Sequence, residues 1–453
     1  MVIWFNGCKT IRPSNKSNNQ SITQMNNESI IIGAGAAGLL CALELARAGK
    51  KVTVLEANGT PGGRMHTLHG HGFTQPVEAG AEFIHGDLPV TLGLVKEAGL
   101  AIERAGGQMI QLDKGKLMPR SEGESDWDEM MEKMQSITGD MPFAAFLQQF
   151  FAGDEYTALR KQATRFAQGF DLADINRVST KALAREWADE DDGHQHRIPA
   201  GYSALAVYLQ QQAEQLGVVF HFNTVAQTIT WQPGKVAVQT TDGVVYEAAQ
   251  TVITIPVSLL STGAAGTRAG AVQFQPALNQ YHAAAADVGY GSVIKILLQF
   301  SEAFWLNIIS RPGFFLTPYQ VPTWWTQGDA AMPLLTGWLN GSQAGELLQA
   351  TNEQLLTIAL DSLSGAFAIN RGQLQQRLTA WHVANWHTHP FAAGAYSYDT
   401  PETAQARNLL CTPVANTIYF AGEALYRGNV PGTVEAAFES ARITAKQCLL
   451  STI

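Results

Sequence analysis

The chain has 453 residues, enough for two to three domains with a deep site between lobes. Hydrophobic residues make up 46% and charged residues only 15%, which excludes a chain disordered throughout. The 30 basic and 39 acidic side chains give a net charge of -9, which argues against nucleic acid or an anionic membrane as the main partner and mildly favours a cationic one.

The first 28 residues are polar, with SNKSNNQS at 14–21, and read as a disordered tail. Their apolar part, residues 2–5, is too short for a signal-peptide core and precedes Lys9 and Arg12, so secretion is not expected. No stretch approaches the ~18 apolar residues of a membrane span. The cysteines Cys8, Cys41, Cys411 and Cys448 stand far apart without metal-ligand spacing, which fits a reduced, cytoplasmic setting.

Residues 29–32 form a short isoleucine-rich strand that runs into Gly33-Ala34-Gly35-Ala36-Ala37-Gly38 and a helix over 39–48. In such a unit Gly33 permits the tight turn, Gly35 lets a pyrophosphate approach the backbone, and Gly38 lets helix and strand pack closely. The N–H groups that open the helix are phosphate donors. Residues 51–55 read as the next parallel strand, with Glu56 and Ala57 at its tip, where a carboxylate accepts ribose hydroxyls. This pattern defines a Rossmann-like unit and leaves NAD or FAD open.

The segment after Glu56 narrows the choice. Pro61-Gly62-Gly63-Arg64 resembles the glycine-glycine-arginine element of the flavin-containing amine oxidases, in which the arginine lies against the cofactor's phosphates. The chemistry agrees, because a guanidinium is a preferred phosphate partner. Residues 77–86, VEAGAEFIHG, are similar to the stretch beside the flavin ring in animal-type polyamine oxidases, and they contribute Gly80, Ala81 and Glu82. Residues 418–423, IYFAGE, read as a buried strand closing on Gly422 and Glu423. Gly432-Thr433-Val434 then starts the last helix, whose dipole suits the electron-rich side of a reduced flavin.

Cofactor motifs at both ends of the chain imply a discontinuous FAD-binding domain, built from 29–86, 197–258 and 394–453. The substrate domain takes 87–196 and 259–393. The fold class is α/β, a Rossmann-like FAD-binding domain with an α+β substrate-binding domain. Within it a helix over 202–216 and strands over 219–222, 235–240 and 252–255 return to the cofactor. The resemblance places Val225 near the adenine, while a valine packed in the core reads equally from the sequence alone. The clusters at 191–196 (DDGHQH) and His387-Thr388-His389 read as solvated loop histidines without metal context.

Lys295 interrupts the apolar strand GSVIKILL at 291–298. A lysine is rarely buried without a partner, and desolvation makes such a group a hydrogen-bond or proton-relay element; an edge-strand lysine reaching solvent is the other reading. The resemblance matches Lys295 to the lysine that reaches flavin N5 through a water. It also makes Trp386 a support for the flavin, Tyr396 an aromatic wall of the amine site, and His85 a residue facing the amine. His85 and Tyr396 remain open to purely structural roles. Glu82 and Asp87 are candidates to pair with a second cationic nitrogen. Ala395 stands where monoamine oxidases carry the cysteine that attaches the flavin, so FAD is expected to be non-covalent. Thr433 stands in place of their second cage tyrosine.

The resemblance implies hydride transfer from an amine, polyamine or monoamine, to flavin N5, imine hydrolysis, and reoxidation by O2 to peroxide. Partners are then a small-molecule amine and O2, with no metal. An L-amino-acid oxidase, a flavin desaturase and a non-catalytic flavin-binding scaffold remain alternatives on the same fold. Oligomeric state is not encoded in any motif.

Overall fold

A computed structural model describes residues 22–118, 124–188, 195–263, 268–310, 312–328, 331–428 and 430–451. The first strand, Ile22–Ile32, feeds the helix Ala36–Arg47, whose sequence AAGLLCALELAR carries no β-branched residue and ends before Gly49 in the left-handed region at φ +80°. The polar tail expected over 1–28 therefore ends sooner. Residues 22–28 belong to this strand, paired in parallel with Val245–Ile253 from Ile22 opposite Val245 onward, and residues 1–21 lie outside the described residues.

The first sheet orders its strands as 219–221, 52–55, 22–32, 245–253, 235–240, 226–232 and 273–275. Val245–Ile253 divides the sheet. Its first half pairs antiparallel with Lys235–Thr240, and its second half pairs in parallel with Ile418–Phe420 through Thr251 and Ile418. The central parallel segments are buried, as strands covered on both faces must be: Ser29 to Ile32, Val52–Leu55 and Ile418–Phe420 are closed to solvent, while the edge strand Val219–His221 is partly exposed. One face packs the helices Ala36–Arg47, Tyr202–Gln215 and Val434–Leu450, and the other packs Val257–Thr262 and Asn279–Asp287.

The first sheet continues past the boundary expected at 259. The strand Ala226–Gln232 joins the sheet between Lys235–Thr240 and Gln273–Gln275, and the segment through residue 287 packs on the cofactor lobe. Residues 259–263 and 268–287, expected in the substrate block, pack beside the first sheet.

The second sheet orders 378–385, 293–300, 334–340, 323–326, 312–316, 108–113 and 116–118. Val293–Phe300 lies between two antiparallel neighbours with every residue buried, so Lys295 sits in an interior strand, and the edge-strand reading is excluded. A separate helical layer, Glu124–Ser136, Phe143–Phe150, Thr157–Gly169 and Thr180–Ala188, closes over the sheet around a core of Phe143, Phe146 and Trp187. Among the described residues no helix is long and apolar enough to cross a membrane.

Candidate active site

A single cavity of about 1520 Å³ runs from the Gly-rich turn to the helical layer. Ordinary ligand pockets hold about 300–1,000 Å³. This one has room for a dinucleotide and a second molecule.

At the dinucleotide end the glycines act as their spacing predicts. Gly33 turns at φ +105°, and a Cβ there would lie 2.7 Å from Thr254 Oγ1; a Cβ on Gly38 would lie 2.0 Å from the Gly33 carbonyl oxygen. Gly35 opens on the cavity and heads the helix Ala36–Arg47 without a side-chain cap, so the first-turn N–H groups of Ala36 and Ala37 remain for an anion. Gly63 stands against Gly35, its Cβ position 3.5 Å from the Gly35 Cα, and keeps the floor of this cradle flat. Glu56 accepts the Ala34 N–H at 2.6 Å with one oxygen and the Asn58 N–H at 2.7 Å with the other. It is thereby oriented from the turn itself. Its remaining lone pairs face the cavity, which Ala57 and Val225 also line. Of the expected cofactor residues only Ala34 and Gly38 do not line the cavity, because both are packed beneath the turn.

Arg64 joins the two ends of the chain. Its guanidinium donates to Glu423 Oε1 at 3.0 Å and to the Ala395 carbonyl, and it lies 5.7 Å from the centre of the Tyr290 ring. Glu423 in turn accepts from Ser397 Oγ at 2.6 Å. Gly80, Ala81, Gly422, Gly432, Thr433 and Val434 line the middle of the cavity with small side chains or none. Thr433 caps the last helix, its hydroxyl accepting from the Ala436 N–H at 3.1 Å. Trp386 is fixed by donating its indole N–H to the Ala79 carbonyl at 2.9 Å.

Lys295 reaches the same wall. Its Nζ donates to Glu82 Oε2 at 2.8 Å and to the Gly80 carbonyl at 3.2 Å. Glu82 also accepts from the Trp325 indole at 2.9 Å and forms an ion pair with the Arg197 guanidinium, N···O 2.9 Å. Glu82 thus partners Lys295 while still lining the cavity. Asp87 is exposed.

The far end is aromatic. His85 lies 5.9 Å from Phe83 and 6.2 Å from Phe170, and burial pushes its imidazole down to about 4, so it is neutral at physiological pH. Tyr396 donates its hydroxyl to the Phe170 carbonyl; burial and the carboxylates of Asp171, Glu186 and Glu423 raise its phenol well above the usual range. Phe314, Trp325 and Trp338 complete the walls.

Phe170, Trp325, Arg197 and the pair Asp171 and Glu186 lie in no motif that would have singled them out. Glu186 lines the cavity with its carboxyl raised by burial and by Asp171. His389, expected in a solvated loop, also lines the cavity and sits 5.4 Å from Trp386, while His387 meets Ser292 Oγ at 2.8 Å. His196 lies in the strand Gln195–Arg197, and residues 191–194 fall outside the described residues. Among the described residues no three metal-ligating side chains are grouped.

A dinucleotide cradle, a phosphate-side arginine and a cavity running on to a buried lysine define a flavin-dependent oxidoreductase site. The chain belongs to the flavin-containing amine oxidoreductases, whose sequence profile matches residues 36–449. Its cofactor is FAD, since the flavin of that family meets a cradle built for a dinucleotide. It is 27% identical to human lysine-specific histone demethylase 2, over 92% of this chain and 52% of that protein, so it spans about half the length of that relative. It is 26% identical to polyamine oxidase 5 of Oryza sativa subsp. japonica, over 92% of this chain and 87% of that one. Among solved structures, putrescine oxidase bound to putrescine overlays with a TM-score of 0.77 at 19% identity, covering 94% of this chain and 99% of that chain. Cyclohexylamine oxidase from Brevibacterium oxydans overlays at 0.76 and 20% identity, covering 94% and 100%. At these identities the structural likeness speaks for the fold.

Proposed function

We propose that the protein oxidises an amine at the carbon next to its nitrogen, with FAD held non-covalently. The observation that carries the reading is the continuity of one cavity from the Gly35 cradle to the wall formed by Lys295, His85 and Tyr396. FAD supplies the two-electron acceptor for the hydride of the substrate's α C–H bond. Every other task falls to side chains.

Tyr396, Phe170 and Trp325 form an apolar slot that excludes water and orients the substrate chain. The neutral His85 imidazole is too weak a base to take a proton from an ammonium, so it holds an amine that arrives already deprotonated, by a hydrogen bond. Lys295 places an N–H donor at the wall beside Gly80. The imine product is hydrolysed by water to a carbonyl compound and an amine, and O2 takes the electrons to give peroxide. Ala395 offers no nucleophile, and none of Cys41, Cys411 and Cys448 lines the cavity, which supports dissociable FAD.

Polyamines are the favoured substrates, in line with the rice relative's name and the net negative charge; methylated peptide lysine is the reading that the demethylase relative adds. Anaerobic mixing with spermine, spermidine, acetylated polyamines, aromatic monoamines, amino acids and a methyl-lysine peptide separates these. An amine that bleaches the flavin with a rate rising through its own pKa supports the proposal. Bleaching by amino acids alone assigns an amino-acid oxidase, and no bleaching assigns a desaturase or a scaffold. Lys295→Met is expected to bind FAD while slowing reduction or reoxidation by roughly 10²–10³-fold. Wild-type rates in stopped flow would refute the role of Lys295.

A further inference from the structure

Three charged side chains from distant parts of the chain meet at the cavity wall, which Glu82 and Lys295 line and behind which Arg197 stands. Glu82 follows the strand Val77–Glu78, Arg197 ends Gln195–Arg197, and Lys295 lies within Val293–Phe300. The side chains of Lys295 and Glu82 are 1% and 3% exposed and that of Arg197 is 15% exposed. Arg197 is itself anchored, donating to the Thr326 carbonyl at 2.7 Å with its guanidinium 4.7 Å from the centre of the Phe83 ring. The Lys295 ammonium also lies 5.6 Å from the centre of the Trp325 ring.

Burying an ion costs several kcal/mol unless partners with good geometry compensate it, and an ammonium without such a partner sheds its proton. A simple structural pair needs one acid and one base. Here one carboxylate serves two cations and leaves the cluster with a net positive charge. The other charged or titratable groups around Lys295 do not cancel it. Its strand neighbours Trp338 and Ala384 carry no charge, and Glu78 is held protonated up to about pH 8, chiefly by burial. An ammonium has three N–H donors. Two go to Glu82 and Gly80, which leaves one on a residue that lines the cavity.

We propose that Glu82 is the positioning residue for Lys295: by accepting from Lys295 and Trp325 while paired with the Arg197 guanidinium it pins Nζ at the cavity wall as a cation, so that an ammonium rather than a neutral amine faces the flavin site. The proposal rests on the assignment of Lys295 above. It makes Lys295 a fixed donor and charge, and rules it out as the group that takes the substrate's proton.

The test uses the FAD-loaded protein. Glu82→Gln keeps the shape and an acceptor for the Trp325 indole while deleting the charge, which leaves two cations without an anion. Its flavin absorbance, titrated without substrate, and its anaerobic reduction rate are expected to gain an ionisation between about pH 6 and 9 that the wild type lacks. Glu82→Asp should return the profile towards wild type. Arg197→Met keeps the Glu82–Lys295 contact and removes the excess charge, so its profile should stay flat while the flavin midpoint potential falls. This variant carries the test if Glu82→Gln does not fold. A wild-type pH profile in Glu82→Gln, or a wild-type potential in Arg197→Met, overturns the proposal. If either occurs while Lys295→Met is impaired, the Lys295 assignment stands; if Lys295→Met itself is unaltered, that assignment falls too.

Discussion

Glu78 and Glu82 stand four positions apart on one stretch of backbone and are both buried, but their partners differ. Glu82 meets two cations. Glu78 receives the Tyr202 N–H at 2.6 Å and the Thr67 hydroxyl at 2.9 Å, and desolvation still raises it to about 8. A carboxyl raised in the fold is protonated there while the unfolded chain ionises above about 4.5, so its contribution is complete below that pH and is lost as pH rises towards 8. Glu78→Gln mimics the protonated form. It should gain on the wild type by on the order of 3 kcal/mol between pH 4 and pH 8, read from urea unfolding midpoints. Equal midpoint shifts at both pH values would count against a neutral Glu78. Lys295 was legible in the sequence because a charge inside an apolar run demands a partner. The identity of that partner was not, because Glu82 and Arg197 are brought to it only by the fold.

The elements that hold the dinucleotide were the most legible, since their demands are local. A turn without Cβ atoms, an uncapped helix start and a carboxylate at a strand tip all follow from spacing. Gly38→Ala places a methyl 2.0 Å from the Gly33 carbonyl oxygen, a contact that cannot form without moving helix or strand. We expect this variant to lose FAD on gel filtration, at a cost of roughly 1–3 kcal/mol of stability; a variant that stays yellow would place the helix–strand contact elsewhere. Elements set by pairing were harder to read. Ala226–Gln232 alternates Thr and Gln with its apolar residues, and Gln273–Gln275 is only three residues long, so each is a strand because a neighbour supplies its hydrogen bonds. The aromatic walls were equally hidden, because Phe83, Phe170, Trp325 and Trp338 come from four separate elements.

Across the whole molecule, the Arg64–Glu423 contact and the shared sheet tie the first and last thirds of the chain into one cofactor site. FAD bound there bridges segments that unfolding separates, and a dissociable ligand stabilises by mass action, by about 2.7 kcal/mol at a hundred times its Kd. The thermal midpoint should therefore climb with added FAD, and acid precipitation should leave the flavin in the supernatant. A midpoint indifferent to free FAD, with colour retained in the pellet, would mean covalent attachment despite Ala395.

The strand Ile418–Phe420 lies beside Val252, whereas the helix Val434–Leu450 that packs on Ala36–Arg47 is made some four hundred residues later, about half a minute at ~13 residues per second. During translation the cradle exists before its lid. The nascent chain can fold the Gly33 turn early but presents an open apolar trough until residues through Val434 have left the ribosome. The cofactor can thus be fully enclosed only after the last cavity-lining segment, residues 431–437, has been made.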